Sequence, residues 1–115
     1  MTGAPYEVRN EDHWIYRGTG LKNGELFGVN SSHTRCPGGA SGHELDKMDD
    51  NSPANIELIA KGKNGDGSGA EMIYYTSESG GEVFSVGSIN YPSSLNVDPR
   101  LSQITKNVFD RFLKD

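Results

Sequence analysis

The chain has 115 residues, a formal net charge of −5 and a hydrophobic fraction of 33%, which indicates one lean domain with a modest core. The acidic charge argues against nucleic acid and membrane surfaces as partners, and the apolar stretches are too short to cross a bilayer. The single cysteine, Cys36, excludes an internal disulfide framework, and the missing apolar signal segment makes the cytoplasm the default location.

Glycine is the most unusual component of the composition. The 15 glycines make up about 13% of the chain, against roughly 7% in average proteins. They cluster in residues 18–28, 38–42 and 62–69. Because glycine permits positive φ angles and close backbone approach, these clusters predict turns and connectors. We place the cluster at 62–69 on the surface, between two strands.

The sequence offers six aromatic residues that could form a ligand groove, namely Trp14, Tyr16, Tyr74, Tyr75, Phe84 and Tyr91. Trp14, Tyr16 and Tyr91 are its leading candidates. Trp14 and Tyr16 lie near the start of the chain and Tyr91 near its end. Aromatic rings can form the floor of a site for a sugar, a peptide or a partner chain, although most aromatic residues serve packing. The sequence leaves both interpretations open.

The polar segment 33–50 has the highest density of chemically reactive side chains. Five possible metal ligands lie in it: His33, Cys36, His43, Glu44 and Asp46. Structural zinc sites in small domains usually show two recognisable ligand pairs, which this segment lacks. A glycine-hinged polar loop is the simpler interpretation, and we assign no metal ligand to this chain.

Two carboxylates in this segment are candidates for catalysis. Glu44 and Asp46 are two residues apart, so in an extended segment both project to the same side. Neighbouring carboxylates shift each other's pKa and can serve as general acid and base. The alternative is that one of them caps a turn or pairs with Lys47 or Arg35.

The second half of the chain predicts regular structure. Asn55–Ala60 and Glu71–Thr76 are apolar runs typical of strands, and Glu82–Ile89 continues as a third. The Gly80-Gly81 pair between the last two runs favours a hairpin.

A helix is predicted to follow the strands. Asp98 is a suitable N-cap and Pro99 suits the first helical position. An apolar face recurs at helical spacing, which predicts that the helix packs on the sheet. The predicted face consists of Leu101, Ile104, Val108 and Phe112, widened by Phe109 and Leu113. Lys106 with Asp110, and Arg111 with Asp115, are i,i+4 ion pairs on the solvent side.

These elements predict a mixed α/β fold, in which short strands with a late β-hairpin are covered by a C-terminal helix. We expect a single small domain over residues 1–115. Its first part, 1–53, is loop-rich, and the strands and terminal helix occupy 54–115.

Four stretches in order resemble a known family. They are HWIYRGTGLKNG at 13–24, GHELD at 42–46, GGEVFSVGSI at 80–89 and ITKNVFDRF at 104–112. Together they resemble the C-terminal part of the large (beta) subunit of the N,N-dimethylformamidase family, over nearly the whole chain.

The resemblance implies a fold and an activity. It implies the end of a glutamine-amidotransferase-like α/β region, in an enzyme that hydrolyses a small amide at a mononuclear iron. The tyrosine and carboxylate ligands of that iron are expected in a portion N-terminal to this segment. The iron would polarise the amide carbonyl and activate water, while a carboxylate passes a proton to the leaving amine.

The resemblance also assigns candidate residues. Glu44, with Asp46, is the candidate acid or base. Tyr91 stands where relatives often have Trp, whereas His43 departs from the aromatic residue that many relatives have at its position. Both are candidates for substrate binding, together with Trp14 and Tyr16.

The leading hypothesis is a fragment, subunit or stand-alone relative of a dimethylformamidase-like amidohydrolase. It would act on a small amide or other small ligand, together with a partner chain or as a homo-oligomer. The alternative is a non-catalytic binding or assembly module with an aromatic-lined groove.

Overall fold

Five antiparallel strands form one sheet. In chain order they are β1 (Tyr6–Val8), β2 (Leu26–Phe27), β3 (Glu57–Gly62), β4 (Glu71–Thr76) and β5 (Glu82–Ser85), and their order across the sheet is β2-β1-β3-β4-β5. A helix, α1 (Pro99–Phe112), follows the strands. Two short 3-10 turns are formed by Trp14–Tyr16 and Tyr91–Ser94. The computed structural model describes residues 3–29, 39–41, 55–65, 69–88, 91–95 and 97–113.

The hairpin of β4 and β5 is confirmed. Strand β4 has the predicted bounds, and Gly80 (φ +92°) makes the turn. Its N–H donates to the Ser77 carbonyl at 2.9 Å. Strand β5 is shorter than predicted and ends at Ser85, two residues before Gly87 adopts a φ of +68°. A positive φ does not continue a strand, which explains the earlier end.

Strand β3 is shifted by two residues from the predicted run and extends to Gly62. Its register with β4 shifts between Leu58 and Ala60. The irregularity lies at Ile59, whose carbonyl accepts the N–H of Arg9 at 3.0 Å. The prediction missed the end of β3 because Gly62 was attributed to the connector.

The strands β1 and β2 are additional to the predicted elements. They contain three and two residues, too few for an alternating pattern to be recognised. Strand β1 nevertheless pairs with both β2 and β3, so it lies inside the sheet. Its residues Tyr6 and Val8 are fully buried.

Helix α1 begins as predicted, with Asp98 as N-cap and Pro99 in the first turn. Leu101, Ile104 and Val108 are buried. The predicted face is too wide: its member Phe112 is 40% exposed, and the widening residues Phe109 and Leu113 are 60% and 80% exposed. These three residues lie on a flank of the helix about 20–120° around the axis from Leu101, beyond the strip that contacts the core.

One of the two predicted ion pairs on α1 is observed. Lys106 and Asp110 lie 2.6 Å apart. Asp115 lies outside the described residues, so its predicted pair with Arg111 stays a prediction, and Arg111 binds Glu82 of β5. The helix is thus joined to the sheet by a charged contact as well as by its apolar strip.

The fold is mixed, and one core contains residues from both the sheet and the helix. Within the described ranges every strand pairing is antiparallel. This sheet gives no evidence of the glutamine-amidotransferase-like fold that the resemblance implied. Among these residues no helix has the length and apolar character needed to span a bilayer. The fully buried side chains of the core include Tyr6, Phe27, Ile15, Ile59, Met72, Leu101 and Ile104.

Candidate functional site

A groove of about 500 Å³ lies between the Trp14–Tyr16 turn and helix α1. The helix contributes polar and charged side chains, and the other side consists of Trp14 from the turn and of the two residues that follow the turn. Its lining consists of Trp14, Arg17, Gly18, Gln103, Lys106, Asn107, Asp110 and Arg111.

Asn107 fixes the distance between the two sides of the groove. Its amide Nδ2 donates to the carbonyls of Ile15 and Arg17, both at 2.8 Å. Its Oδ1 accepts Gln103 Nε2 at 2.9 Å. A hydrogen-bonded amide that joins helix and turn restricts their relative motion, so the groove is a built feature of the fold.

Trp14 lies at the centre of an aromatic and charged cluster. The Arg111 guanidinium carbon lies 5.2 Å from the ring centroid of Trp14, a distance typical of a cation–π contact. The ring of Tyr74 meets Trp14 edge-on at 5.5 Å, and the ring of His13 lies 5.0 Å away. Arg111 Nε also donates to Glu82 Oε1 at 2.8 Å. These contacts fix the orientation of Trp14 at the edge of the groove.

His13 supports the turn that carries Trp14. Its Nδ1 accepts the N–H of Ile15 at 3.2 Å, and its Nε2 lies 3.6 Å from Glu57 Oε2. Burial lowers the pKa of His13 below its usual 6.5, which the Glu57 carboxylate opposes and Arg111 reinforces. Since Nδ1 is an acceptor, the proton of the neutral ring is on Nε2 and faces Glu57.

This geometry predicts a pH dependence of stability. Because the folded state lowers the pKa of His13, the unfolded chain binds more protons, so stability is complete above about pH 6.5 and falls below it. We expect His13→Asn, which keeps a cap acceptor but cannot titrate, to lose less stability between about pH 7.5 and about pH 5.5. Urea denaturation at both pH values measures this difference. An equal loss in both proteins would contradict the role given to His13.

Tyr74 and Glu82 form the next polar contact of the cluster. The Tyr74 hydroxyl donates to the Glu82 carboxylate. Burial and this carboxylate raise the pKa of Tyr74, while the bond from Tyr74 and the bond from Arg111 lower the pKa of Glu82. At neutral pH Glu82 is therefore ionised and Tyr74 protonated. The cluster suits binding better than proton transfer.

The structure brings one of the three predicted aromatic residues to the groove. Trp14 lines it, whereas Tyr16 and Tyr91 are buried in the core, 4% and 6% exposed. The Tyr16 hydroxyl donates to the Ile59 carbonyl at 2.5 Å, and the Tyr91 hydroxyl lies 2.9 Å from Thr105 Oγ1. Burial raises the pKa of Tyr91 to about 12. The hydroxyls have partners inside the fold, which a sequence pattern does not reveal.

The predicted polar residues His33, Cys36, His43, Glu44 and Asp46 lie outside the described residues. Their assigned roles stay predictions.

The chain shortly before Glu44 is held firmly by Ser41. Ser41 and Ala4 exchange two backbone hydrogen bonds of 2.8 Å. Ser41 Oγ accepts the N–H of Ala70 at 3.1 Å and donates to Asn64 Oδ1 at 2.6 Å. These contacts fix Ser41 against the residues that precede β1 and β4.

Ser41 and the Trp14 groove lie toward opposite ends of β4. Ala70, which contacts Ser41, precedes β4, whereas Tyr74, which contacts Trp14, is four residues further along. Four residues of strand span about 13 Å. Within the described residues, the Trp14 groove is therefore separate from Ser41, which precedes Glu44 and Asp46.

Several groove residues were not predicted, because the polar residues of α1 were assigned only to ion pairs on the solvent side. Gln103, Asn107 and Arg111 recur at intervals of four, so they form a second, polar flank of the helix. That spacing is the signal that could have identified them. Their contacts with the Trp14–Tyr16 turn span about 90 residues of sequence, and no local pattern predicts them.

The described residues do not fit an iron site of the implied kind. Among them no group of three or more His, Cys, Asp or Glu side chains is placed to hold a metal ion. Burial also raises the pKa of Tyr6, Tyr16 and Tyr91, which opposes the phenolate form that binds a metal.

Comparison with known proteins shows the family to which the chain is related. Residues 1–107 match a family model described as N,N-dimethylformamidase beta subunit-like, C-terminal. The N,N-dimethylformamidase beta subunit of Paracoccus aminophilus is 32% identical over 106 residues, covering 68% of this chain and 14% of that protein. The chain spans only a small part of the length of this relative. The match over almost all residues places the chain in the family of N,N-dimethylformamidase beta subunit-like C-terminal regions.

Proposed function

We propose that the chain is a fragment, subunit or stand-alone relative of a dimethylformamidase-like amidohydrolase and contributes Glu44 to a site that hydrolyses a small amide. The observation that carries this proposal is the family match over residues 1–107. The name of the Paracoccus relative gives N,N-dimethylformamide as its substrate and describes it as a subunit. A partner chain, or a second copy of this chain, completes the site.

The chemistry of amide hydrolysis supports a role for Glu44. The leaving amine must receive a proton, and a carboxyl group held near the amide nitrogen can deliver it. The cluster around Trp14 supplies no such proton donor, since Glu82 stays ionised and Tyr74 keeps its proton at neutral pH. We propose that Glu44 carries the proton and that Asp46, as the neighbouring carboxylate, influences its acidity.

The anchored Ser41 supports this assignment. Its hydrogen bonds to Ala4, Asn64 and Ala70 fix the chain three residues before Glu44. A rigid attachment lowers the cost of positioning a catalytic side chain. We propose that, in a complete enzyme of this family, the antiparallel unit closes a glutamine-amidotransferase-like α/β domain and presents Glu44 to its cleft.

Substitution of Glu44 in a chimera tests the proposal. The matching region of the Paracoccus aminophilus beta subunit is replaced by this chain, and hydrolysis of N,N-dimethylformamide is measured. We expect Glu44→Gln to lower kcat about 100-fold with little change in KM, because the carboxyl acts in the transition state. Asp46→Asn is expected to lower kcat less and to shift the pH profile.

Glu78→Gln is the matched control, because Glu78 is an exposed turn residue. We expect this variant to keep the kcat of the unmodified chimera. A Glu44→Gln chimera with the same kcat as the Glu78→Gln chimera would show that Glu44 is no proton donor.

A second function is favoured by the groove beside Trp14. A solvent-accessible indole held by Arg111 and Tyr74 beside polar side chains is typical of a ligand site. As a binding module, the chain would use this groove without any contribution from Glu44.

A further inference from the structure

The Trp14 groove differs in charge from the rest of the chain. Three positive side chains (Arg17, Lys106 and Arg111) and one negative side chain (Asp110) line it, a balance of +2. The whole chain has a formal charge of −5. A locally positive groove on an acidic protein attracts anions that the remaining surface repels.

The three cations differ in how strongly they are engaged. Arg111 binds Glu82 and contacts the Trp14 ring. Lys106 pairs with Asp110, but both side chains are about two-thirds exposed, so this pair is weak and can rearrange. Arg17 makes no ion pair with any of the described residues. Its guanidinium and the Lys106 ammonium are therefore the groups that an incoming anion can engage.

The groove also has an apolar component. Trp14 presents an aromatic ring beside these cations. A guanidinium group matches the two oxygens of a carboxylate, and an indole ring favours a carbon skeleton. An inorganic anion uses only the first of these contacts, whereas an organic carboxylate uses both.

We propose that the groove between the Trp14–Tyr16 turn and helix α1 binds an organic carboxylate, with the carboxylate on Arg17 and Lys106 and its carbon skeleton on Trp14. The ligand is either a free small carboxylate or an Asp or Glu side chain of a partner polypeptide. This binding is independent of the Glu44 chemistry, so either proposal can fail without the other.

The single tryptophan of the chain allows a direct test. Because Trp14 lines the groove, its fluorescence reports occupancy. The probes are 3-phenylpropionate, its neutral amide 3-phenylpropionamide, a blocked oligoglutamate peptide and inorganic phosphate. We expect a saturable change with 3-phenylpropionate that weakens as salt is added, and binding of the neutral amide to be at least about 10-fold weaker.

Two variants test whether the carboxylate of the bound ligand contacts Arg17. Arg17→Gln is expected to raise the Kd for 3-phenylpropionate about 5–10-fold, because it removes a charge-assisted fork. Lys22→Gln is the control, since Lys22 is exposed and pairs with Glu11 outside the groove. We expect Lys22→Gln to leave the Kd unchanged within about twofold. Thermal melts of both variants check that they fold.

The outcomes separate the two sources of the carboxylate. Tighter binding of oligoglutamate than of 3-phenylpropionate supports a partner polypeptide, and the reverse order supports a free small ligand. The proposal is overturned if the neutral amide binds equally well, if Arg17→Gln and Lys22→Gln behave alike, or if inorganic phosphate binds more tightly than either carboxylate.

Discussion

Replacing Asp98 with alanine is expected to lower the free energy of unfolding by about 4 kcal/mol. The buried Asp98 carboxylate accepts four backbone N–H groups. Oδ1 accepts from Arg100 and Leu101 at 3.0 and 3.1 Å, and Oδ2 accepts from Gly28 and Val29 at 2.6 and 3.2 Å. It thus caps α1 and attaches the helix to the chain after β2. Alanine leaves these donors unpaired, two of them on buried residues.

Urea denaturation measures this loss, and two variants serve as comparisons. Asp98→Asn keeps one acceptor oxygen and loses the charge, so we expect about half of the effect. Asp110→Ala removes an exposed carboxylate from the same helix and should cost less than about 0.5 kcal/mol. A loss below about 1 kcal/mol for Asp98→Ala would contradict the bridging role.

The second large effect is expected for Gly69→Ala, which should destabilise the fold by about 4 kcal/mol or prevent folding. A Cβ at position 69 would lie 2.0 Å from the Gly62 carbonyl oxygen and 2.4 Å from its carbon. Both are backbone atoms of β3, so no side-chain rotation relieves the overlap. The Gly62 N–H donates to the Ala70 carbonyl at 2.8 Å, and this bond would have to lengthen.

Gly65→Ala is the matched control, because a Cβ at position 65 meets no atom within 4 Å. We expect this variant to unfold within about 0.5 kcal/mol of the unmodified protein. Equal stability of the Gly69→Ala and Gly65→Ala proteins would show that the approach of Gly69 to β3 is less close than described.

Local sequence signals predicted the parts of the fold that depend on neighbouring residues. Strand β4 and the start of α1 follow from an apolar run and from the pair Asp98 and Pro99. The strands β1 and β2 were missed because their formation depends on pairing with each other and with β3, which lies about 50 residues beyond β1. The exposed flank at Phe109 was assigned to the core because an apolar residue at helical spacing does not reveal the width of the surface that covers it.

The candidate site was predictable only in part. Trp14 was named from its residue type and lies at the groove. Tyr16 and Tyr91 are of the same chemical class, but internal hydroxyl partners hold them in the core. Arg111 and Glu82 are 29 residues apart in sequence, so a local sequence pattern does not predict their contact. The roles of Glu44 and Asp46 depend on the family relationship and stay predictions.

We propose that this chain can replace the C-terminal region of an amide-hydrolysing subunit. The most direct measurement compares two forms of the Paracoccus aminophilus beta subunit, one lacking the region that matches this chain and one carrying this chain in its place. We predict that the first form does not hydrolyse N,N-dimethylformamide and that the second releases product at a measurable rate. A grafted subunit that folds but is as inactive as the deleted form would contradict the claim.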